Sequence, residues 1–575
     1  MRKTMVIPTY WSRESGQPWR EGDAVYDHPT PIDQEGTLAR TLESMKQFST
    51  KDFKLVILIC PTAPEVEQPA YAKVRRIVED TALGAETYLF TAGDLAEMAQ
   101  ILREAGLGQE PAQLLSLYGY SNVRNACLLA ASVLTADAAV LIDDDEVFEI
   151  PDYLPRSVEF LGHRVYGDVV YGVAGYYRNK NGSYYDDVLP EPWMTYWDRF
   201  GCKGRAFDKI IGKEPRLKRT PFAFGGAMTL HRELFECVPF DPLVKRGEDI
   251  DYLINSRMFG FNFFLDNTLW VKHLPAPRAH PQWMHMREDI YRFVYQRAKL
   301  NAQYERDNLV LVSAEDLDPY PGEFLKADLE DKVFRSSMML CAHYLSLGEE
   351  KASHEALKNI YLCRKDAPPA FNAFEAYLKT QKQWETLIAL ARQQRYALRK
   401  VLERHNLSAP ELQISSQHRR QLSPAEITDA LEKALAPLSL SREELSLVSG
   451  YCHVKTYLEQ EVVFSAGDFN ESVSILLKGE VHLMEKSVEA DGEVRRREVA
   501  RLHAGDLLGE SCLVHEVYRL EGVASEFTEL LCIGKTNLNT LLEQHPAIGI
   551  QLLKLFLSSL SSKITHSNEA TAEKK

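Results

Sequence analysis

Ala138-Ala139-Val140-Leu141-Ile142 runs directly into Asp143-Asp144-Asp145-Glu146. Five consecutive apolar residues suit a strand buried on both faces, as in a parallel sheet. Four carboxylates at its carboxyl end repel one another, and partial burial raises that cost. In open α/β sheets the ligand crevice lies at the carboxyl ends of the strands. A divalent cation removes the repulsion, because Mg²⁺ and Mn²⁺ prefer hard oxygen ligands and bridge to phosphate. The plainer reading of the string is a solvated acidic turn.

Working outward, Thr4–Pro8 is a short apolar run ended by proline, and Leu55–Cys60 is a second strand-sized run. Gly36–Phe48 carries helical apolar spacing, and Val123–Leu134 suits a buried helix. This strand–helix–strand rhythm predicts an α/β domain with a largely parallel sheet. Trp11–Glu35 and Tyr176–Pro221 read as long loops of the kind that serve as lids or binding loops. Farther on, Phe222–Thr229 holds Gly225-Gly226, which admits close backbone approach to a ligand. Gly247-Glu248-Asp249-Ile250-Asp251 opens a helical pattern, and Val271-Lys272-His273 ends the last apolar run. A neutral imidazole suits a third metal ligand beside carboxylates.

In order and spacing, these pieces resemble the GT-A glycosyltransferases of the large family-2 type, over residues 1 to about 280. The elements are Val6-Ile7-Pro8-Thr9-Tyr10, Ser121-Asn122-Val123-Arg124-Asn125, a DxD string at Asp143-Asp144-Asp145, Gly225-Gly226, Gly-Glu-Asp at 247–249, and His273. The resemblance implies a Rossmann-like GT-A domain over 1–280. It also implies metal-dependent transfer of a sugar from a nucleotide-diphosphate donor to an acceptor hydroxyl that the sequence does not identify. Pro8 and Tyr10 would lie along the base, and Arg124 would approach the nucleotide or diphosphate. Asp143 and Asp145 would hold ribose and Mn²⁺ or Mg²⁺, with His273 as a further metal ligand. Asp249 would be the general base if the enzyme inverts, with Glu248 or Asp251 as alternatives; a retaining reaction stays open. A metal would stabilise the leaving diphosphate, and a positioned carboxylate can accept the acceptor's proton. Many family-2 enzymes carry an acid after the second strand, whereas here Leu58-Ile59-Cys60 meets Pro61-Thr62-Ala63-Pro64. Trp193-Met194-Thr195-Tyr196-Trp197-Asp198 reads as a sugar-stacking platform or as a hydrophobic anchor. His280, His285, Arg287 and Arg292 read as contacts to an acidic acceptor or diphosphate, or as a solvated helix face.

Residues 281–430 read as a helical extension and linker, with helical stretches at Arg287–Gln303, Asp331–Leu347, Glu350–Cys363, Ala370–Lys379 and Trp384–His405. Paired helices of this length resemble tetratricopeptide hairpins, without a clear 34-residue repeat. Asn406–Ser423 is polar and reads as a linker. A helical stretch then reaches Cys452, and short β-type runs follow at Val462–Phe464, Ser472–Leu477, Glu480–Glu485, Glu498–Leu502, Leu507–Gly509, Gly522–Ala524 and Leu530–Ile533. Glycines, among them Gly467 and Gly492, punctuate them. Even spacing with turn residues predicts a small β-barrel or jelly roll over 431–575.

This last part resembles the cyclic-nucleotide-binding domains. The matching strings are Phe464-Ser465-Ala466-Gly467-Asp468, Ile475–Val481, and Gly505-Asp506-Leu507-Leu508-Gly509-Glu510, with Arg519 nine positions on. The resemblance implies that Gly509 and Glu510 bind the ribose side of cAMP or cGMP, while Arg519 pairs with the cyclic phosphate. Leu520-Glu521-Gly522 departs from the family pattern, and Glu521 would add negative charge near a phosphate. The alternative is a module used for packing or for homodimer formation.

The 575 residues carry 67 Lys+Arg and 82 Asp+Glu, a formal charge of −15, which excludes non-specific nucleic-acid binding as a function class. No apolar run approaches the roughly 18–20 residues of a membrane span. Nine cysteines without a CxxC pair argue against a disulfide framework and for the reducing cytoplasm. Two function classes stand: a cytoplasmic glycosyltransferase regulated by a cyclic nucleotide, and a non-catalytic nucleotide-sensing or scaffold protein with a transferase-like fold.

Overall fold

The structure, a computed structural model, describes residues 1–575 apart from 19, 21, 187, 276–280, 408–423, 436–437, 439, 458, 460, 467–469, 471, 489–493, 514–516 and 573–575. His280, Gly467, Asp468, Gly492 and all but the first two residues of the expected linker lie outside the described residues. The chain forms two compact units, Met1–Ala409 and Pro410–Lys575. Among the described residues no helix is long and apolar enough to cross a membrane.

The first unit is built on a mixed sheet. Its strand order is Glu86–Phe90, Lys54–Pro61, Lys3–Ser12, Ala138–Leu141, Met228–His231, Asp168–Arg178, Asn262–His273 and Glu146–Val147. The first four are parallel, and Met228–His231 is antiparallel to both neighbours. The apolar runs 55–60 and 138–142 form strands buried on both faces, as their composition suggests. The first strand runs through Pro8. Pro8 lies past Val6, the last residue in register with Ala138–Leu141, so its missing N–H removes nothing from that pairing.

The expected loop Tyr176–Pro221 is more ordered than its glycines suggest. It contains the helix Arg199–Ile210, capped by the Asp198 side chain, which accepts from the Gly201 N–H at 3.0 Å. Cys202, Ala206, Phe207 and Ile210 form its buried face, while Gly201 and Gly204 hide the pattern in the sequence.

The helices that follow pack into the same unit. Ala373–Gln393 is one helix where the sequence suggested two. The Tyr377 hydroxyl and Trp384 Nε1 of this helix donate to the carbonyls of Pro239 and Phe235. The end of the unit is tied to the edge strand, with Leu89 N–H donating to His405 O and Leu407 N–H to Thr87 O.

The second unit holds two four-stranded antiparallel sheets. One orders Cys452–Tyr457, Thr528–Gly534, Ser472–Lys478 and Leu507–Leu508; the other orders Val462–Phe464, Glu521–Ala524, Glu480–Val488 and Val494–His503. The strand Cys452–Tyr457 was not expected from the sequence; it pairs along its length with Thr528–Gly534. Helices Arg442–Ser449, Lys535–Gln544 and Pro546–Ala572 flank the sheets.

Candidate functional site

A cleft of about 490 Å³ opens beyond the carboxyl ends of strands Lys3–Ser12 and Ala138–Leu141. The strand order reverses between these two, which is where α/β sheets bind ligands. Tyr10, Arg124, Asp143, Asp145, Gly225, Glu248, Asp249 and His273 all line it. Pro8 is buried within its strand and does not line it, and neither does Gly226.

Asp145 and His273 meet because of strand register. His273 stands opposite Glu146 in an antiparallel pairing, and Leu274 N–H donates to Asp145 O at 3.0 Å. The His273 Nε2 therefore lies 3.3 Å from Asp145 Oδ2. Burial works to raise the Asp145 pKa, but the His273 hydrogen bond and charge outweigh it and hold the carboxyl below its usual range. Asp144 is pushed up to about 7, by burial first and then by the charge of Asp145. It accepts from Thr9 Oγ1 at 2.6 Å. Among the described residues no group of three or more His, Cys, Asp or Glu side chains is gathered to hold a metal. Asp145 and His273 could therefore supply at most two ligands to a cation.

Arg124 projects into the cleft from the helix Tyr120–Val133. Its Nη2 donates to Asp143 Oδ1 at 2.7 Å, and its Nε lies 3.7 Å from Glu248 Oε1. Nε and Nη1 are buried and have no hydrogen-bond partner among the described residues. The guanidinium, only 3% exposed, thus stands between the Asp143 and Glu248 carboxylates with hydrogen-bonding capacity on Nε and Nη1 unused.

The two glycines leave room for neighbouring side chains, and Gly225 also lines the cleft. A Cβ on Gly225 would lie 2.7 Å from Arg124 Nη2, and one on Gly226 would lie 2.0 Å from Glu146 Oε1. Gly225 N–H donates to Asp249 Oδ2 at 3.2 Å, and Gly226 N–H to the Tyr177 hydroxyl at 2.9 Å.

Glu248 and Asp249 begin the helix Glu248–Met258, after Gly247 in the left-handed region at φ 71°. Burial first, and then the Asp249 charge, raise the Glu248 carboxyl to about 7. Asp251 does not line the cleft. It is fully buried and takes the Lys299 ammonium on both oxygens at 2.9 Å, so it has no route to an acceptor.

Trp193 and Trp197 are 3% exposed. Trp197 packs on Phe293 and Phe324, so the two tryptophans are anchors and not a platform. Arg287 is bound to Glu355 and Asn359, and His285 lies beside Arg246. Arg292 does line the cleft. Sequence reasoning named Tyr10 but missed Tyr26 and Tyr120, whose rings stand with it at centroid distances of 4.5–5.7 Å. It also missed Asp27, Arg246 and Asp289 in the lining. Tyr120 adjoins the Ser121–Asn125 string, and that adjacency was the one signal available.

In the second unit Gly509 has φ 77°, and a Cβ there would lie 2.3 Å from Ser472 O. Glu510 is buried and accepts from Ser559 Oγ at 3.0 Å. Arg519 is exposed. Glu521 is buried in the strand Glu521–Ala524, and Tyr518 stacks on Phe464 at 3.9 Å. Arg497 pairs with Glu485 within the 480–503 hairpin.

The cyclic nucleotide-binding domain family matches residues 454–545. Among curated proteins nothing matches the chain. Similar solved structures include a cyclic nucleotide-binding domain from Methylobacillus flagellatus KT, 20% identical, covering 27% of this chain and 88% of that one, with a TM-score of 0.25. The N-terminal domain of a transcriptional regulator from Streptomyces coelicolor A3(2) is 21% identical, covers 25% and 95%, and has a TM-score of 0.20. The Thermus thermophilus catabolite activator protein is 25% identical, covers 24% and 63%, and has a TM-score of 0.21. The family match makes residues 454–545 a cyclic nucleotide-binding domain, built on antiparallel sheets and following the mixed α/β unit in sequence.

Proposed function

We propose that the first unit is a GT-A-type glycosyltransferase that moves a sugar from a nucleoside-diphosphate donor to an acceptor hydroxyl. The observation that carries this reading is the cleft in which residues from five distant segments converge on the Arg124 guanidinium. The aromatic group around Tyr10 suits a base, and the unused donors of Arg124 suit a diphosphate. Asp145 and His273 are the side chains that would hold Mn²⁺ or Mg²⁺. When bound, such a cation supplies positive charge to the departing diphosphate. Asp249 is the candidate base. It takes the proton of the acceptor hydroxyl as that oxygen bonds to the anomeric carbon and the bond from that carbon to the phosphate oxygen breaks. The neighbouring Glu248, with its raised pKa, is the second carboxyl in reach of that proton.

Cyclic nucleotide at the second unit is read as the regulatory input, with cAMP or cGMP as the ligand and Glu510 and Arg519 as its contacts. The test of transfer is turnover of a nucleotide-sugar panel with Mn²⁺ or Mg²⁺, in the wild type and in Asp145→Ala. Metal-dependent release of nucleoside diphosphate that disappears in the variant is the expected result. No turnover and no UDP or GDP binding across the panel would leave the non-catalytic reading.

A further inference from the structure

The tryptophans that looked like a sugar platform are buried, yet the cleft has another aromatic wall. It starts at His273, whose ring stacks on Tyr177 at 4.6 Å and 19°. Tyr177 meets Phe224 at 4.6 Å, Phe224 meets Phe207 at 5.5 Å, and Phe207 meets Tyr184 at 6.4 Å. Tyr184 meets Tyr185 at 4.5 Å, and Tyr185 is 44% exposed. A row of ring contacts thus runs from His273 to Tyr185; Phe207 and Phe224 are its buried backing, and Tyr177, Tyr184 and Tyr185 are the members that reach the surface of the cleft.

The outer end of the row is fixed in place. Both the Tyr184 and the Tyr185 hydroxyls donate to Asp208, so their polar tips are held, and both residues line the cleft. Asn179 closes the preceding turn by accepting from the N–H groups of Asn181 and Ser183 at 2.9 and 3.0 Å.

We propose that this wall is the acceptor subsite and that the acceptor is a neutral saccharide chain; the proposal rests on the transfer reading above. A pyranose has an apolar C–H face and a rim of hydroxyls, and it needs flat aromatic faces flanked by amides and carboxylates. Asn179, Ser183 and Asp186 supply that flank in the same lining. An anionic acceptor would need cations with nothing to neutralise them, but Lys203 is paired with Asp186 at 3.0 Å and Arg199 with Asp289 at 2.7 Å. A lipid tail would need an unbroken apolar surface, which this polar flank interrupts.

The test is calorimetry on the full chain, with and without UDP or GDP, using cello-, malto-, chito- and mannotetraose up to about 10 mM. At least one tetraose binds. Tyr185→Ala weakens that binding about tenfold, as expected for one lost ring face. Tyr184→Ala with Tyr185→Ala removes it. Tyr361→Ala, at a still more exposed tyrosine on the helix Glu350–Lys365, leaves it unchanged. Thermal unfolding of each variant checks that it is folded. Absence of tetraose binding, or binding indifferent to Tyr185→Ala, overturns the proposal. If UDP or GDP still binds in that case, only the acceptor assignment falls. If neither nucleotide binds, the transfer reading falls with it.

Discussion

Gly226→Ala adds one methyl group in a place with no room for it. Gly226 lies outside the left-handed region, so alanine brings no backbone strain and the whole effect is contact. Its Cβ would stand 2.0 Å from Glu146 Oε1, 2.6 Å from Cδ and 2.7 Å from Oε2. Ordinary contact begins at 3.4 Å, so the carboxylate must retreat by about 1.4 Å. Glu146 is fully buried, and moving it breaks the 3.2 Å bond that its Oε2 accepts from Asp143 N–H. Overpacking of this kind costs about 1–3 kcal/mol, and losing the hydrogen bond costs about 1 kcal/mol more, giving about 2–4 kcal/mol in all. Urea titration followed by tryptophan fluorescence reads this directly, because all seven tryptophans precede residue 410 and report only the first unit. Glu146→Ala in the Gly226→Ala background removes the clash and recovers most of the loss, as a double-mutant cycle would show. A Gly226→Ala change within about 0.5 kcal/mol of wild type, or no rescue by Glu146→Ala, would refute the steric account.

Lys299→Met leaves Asp241 and Asp251 buried without their cation and destabilises the first unit by about 3–5 kcal/mol in the same urea assay. Glu248 titrates in the fold at about 7, above its ordinary 4.5, so its contribution to stability is present below 4.5 and is lost as pH rises through about 7. The urea midpoint of the first unit therefore falls between about pH 5 and about pH 8, and Glu248→Gln flattens that fall; equal slopes in the two proteins would count against it. If cAMP or cGMP is the ligand proposed above, its binding to the full chain, followed by calorimetry, weakens at least about tenfold in Arg519→Ala, because a guanidinium paired with the cyclic phosphate is lost.

Legibility followed chemistry that is local in sequence. The runs 55–60 and 138–142 are central strands because apolar residues without alternation can only be buried on both faces. The short strands of the second unit fell within a few residues of their expected limits, since glycine turns bound them. The strand Cys452–Tyr457 was missed because its pattern of half-buried residues has no apolar stripe. The helix Arg199–Ile210 was missed because two glycines interrupt it. The carboxylate string and His273 could be seen in the sequence; the role of Gly225-Gly226 could not. Nothing in F-A-F-G-G-A-M-T tells that a guanidinium and a carboxylate, from positions 124 and 146, occupy the space the missing side chains leave.

The same reasoning explains Gly247 and brings the helical segment into the site. Gly247 is left-handed, and a Cβ there would stand 2.0 Å from Arg292 Nη1, so Arg292 fills the space beneath the turn that starts Glu248-Asp249. Arg292 is held by Asp289 at 2.9 Å and by the Tyr320 hydroxyl at 3.1 Å, and Asp289 in turn holds Arg199 at 2.7 Å. Two helical turns farther on, Lys299 grips Asp251 in the helix that Glu248 and Asp249 begin. Helix Gln282–Asn301 therefore fixes the Gly-Glu-Asp turn from two sides. The carboxylates proposed to handle the acceptor proton owe their position to residues that the sequence resemblance to a transferase, ending near 280, does not reach.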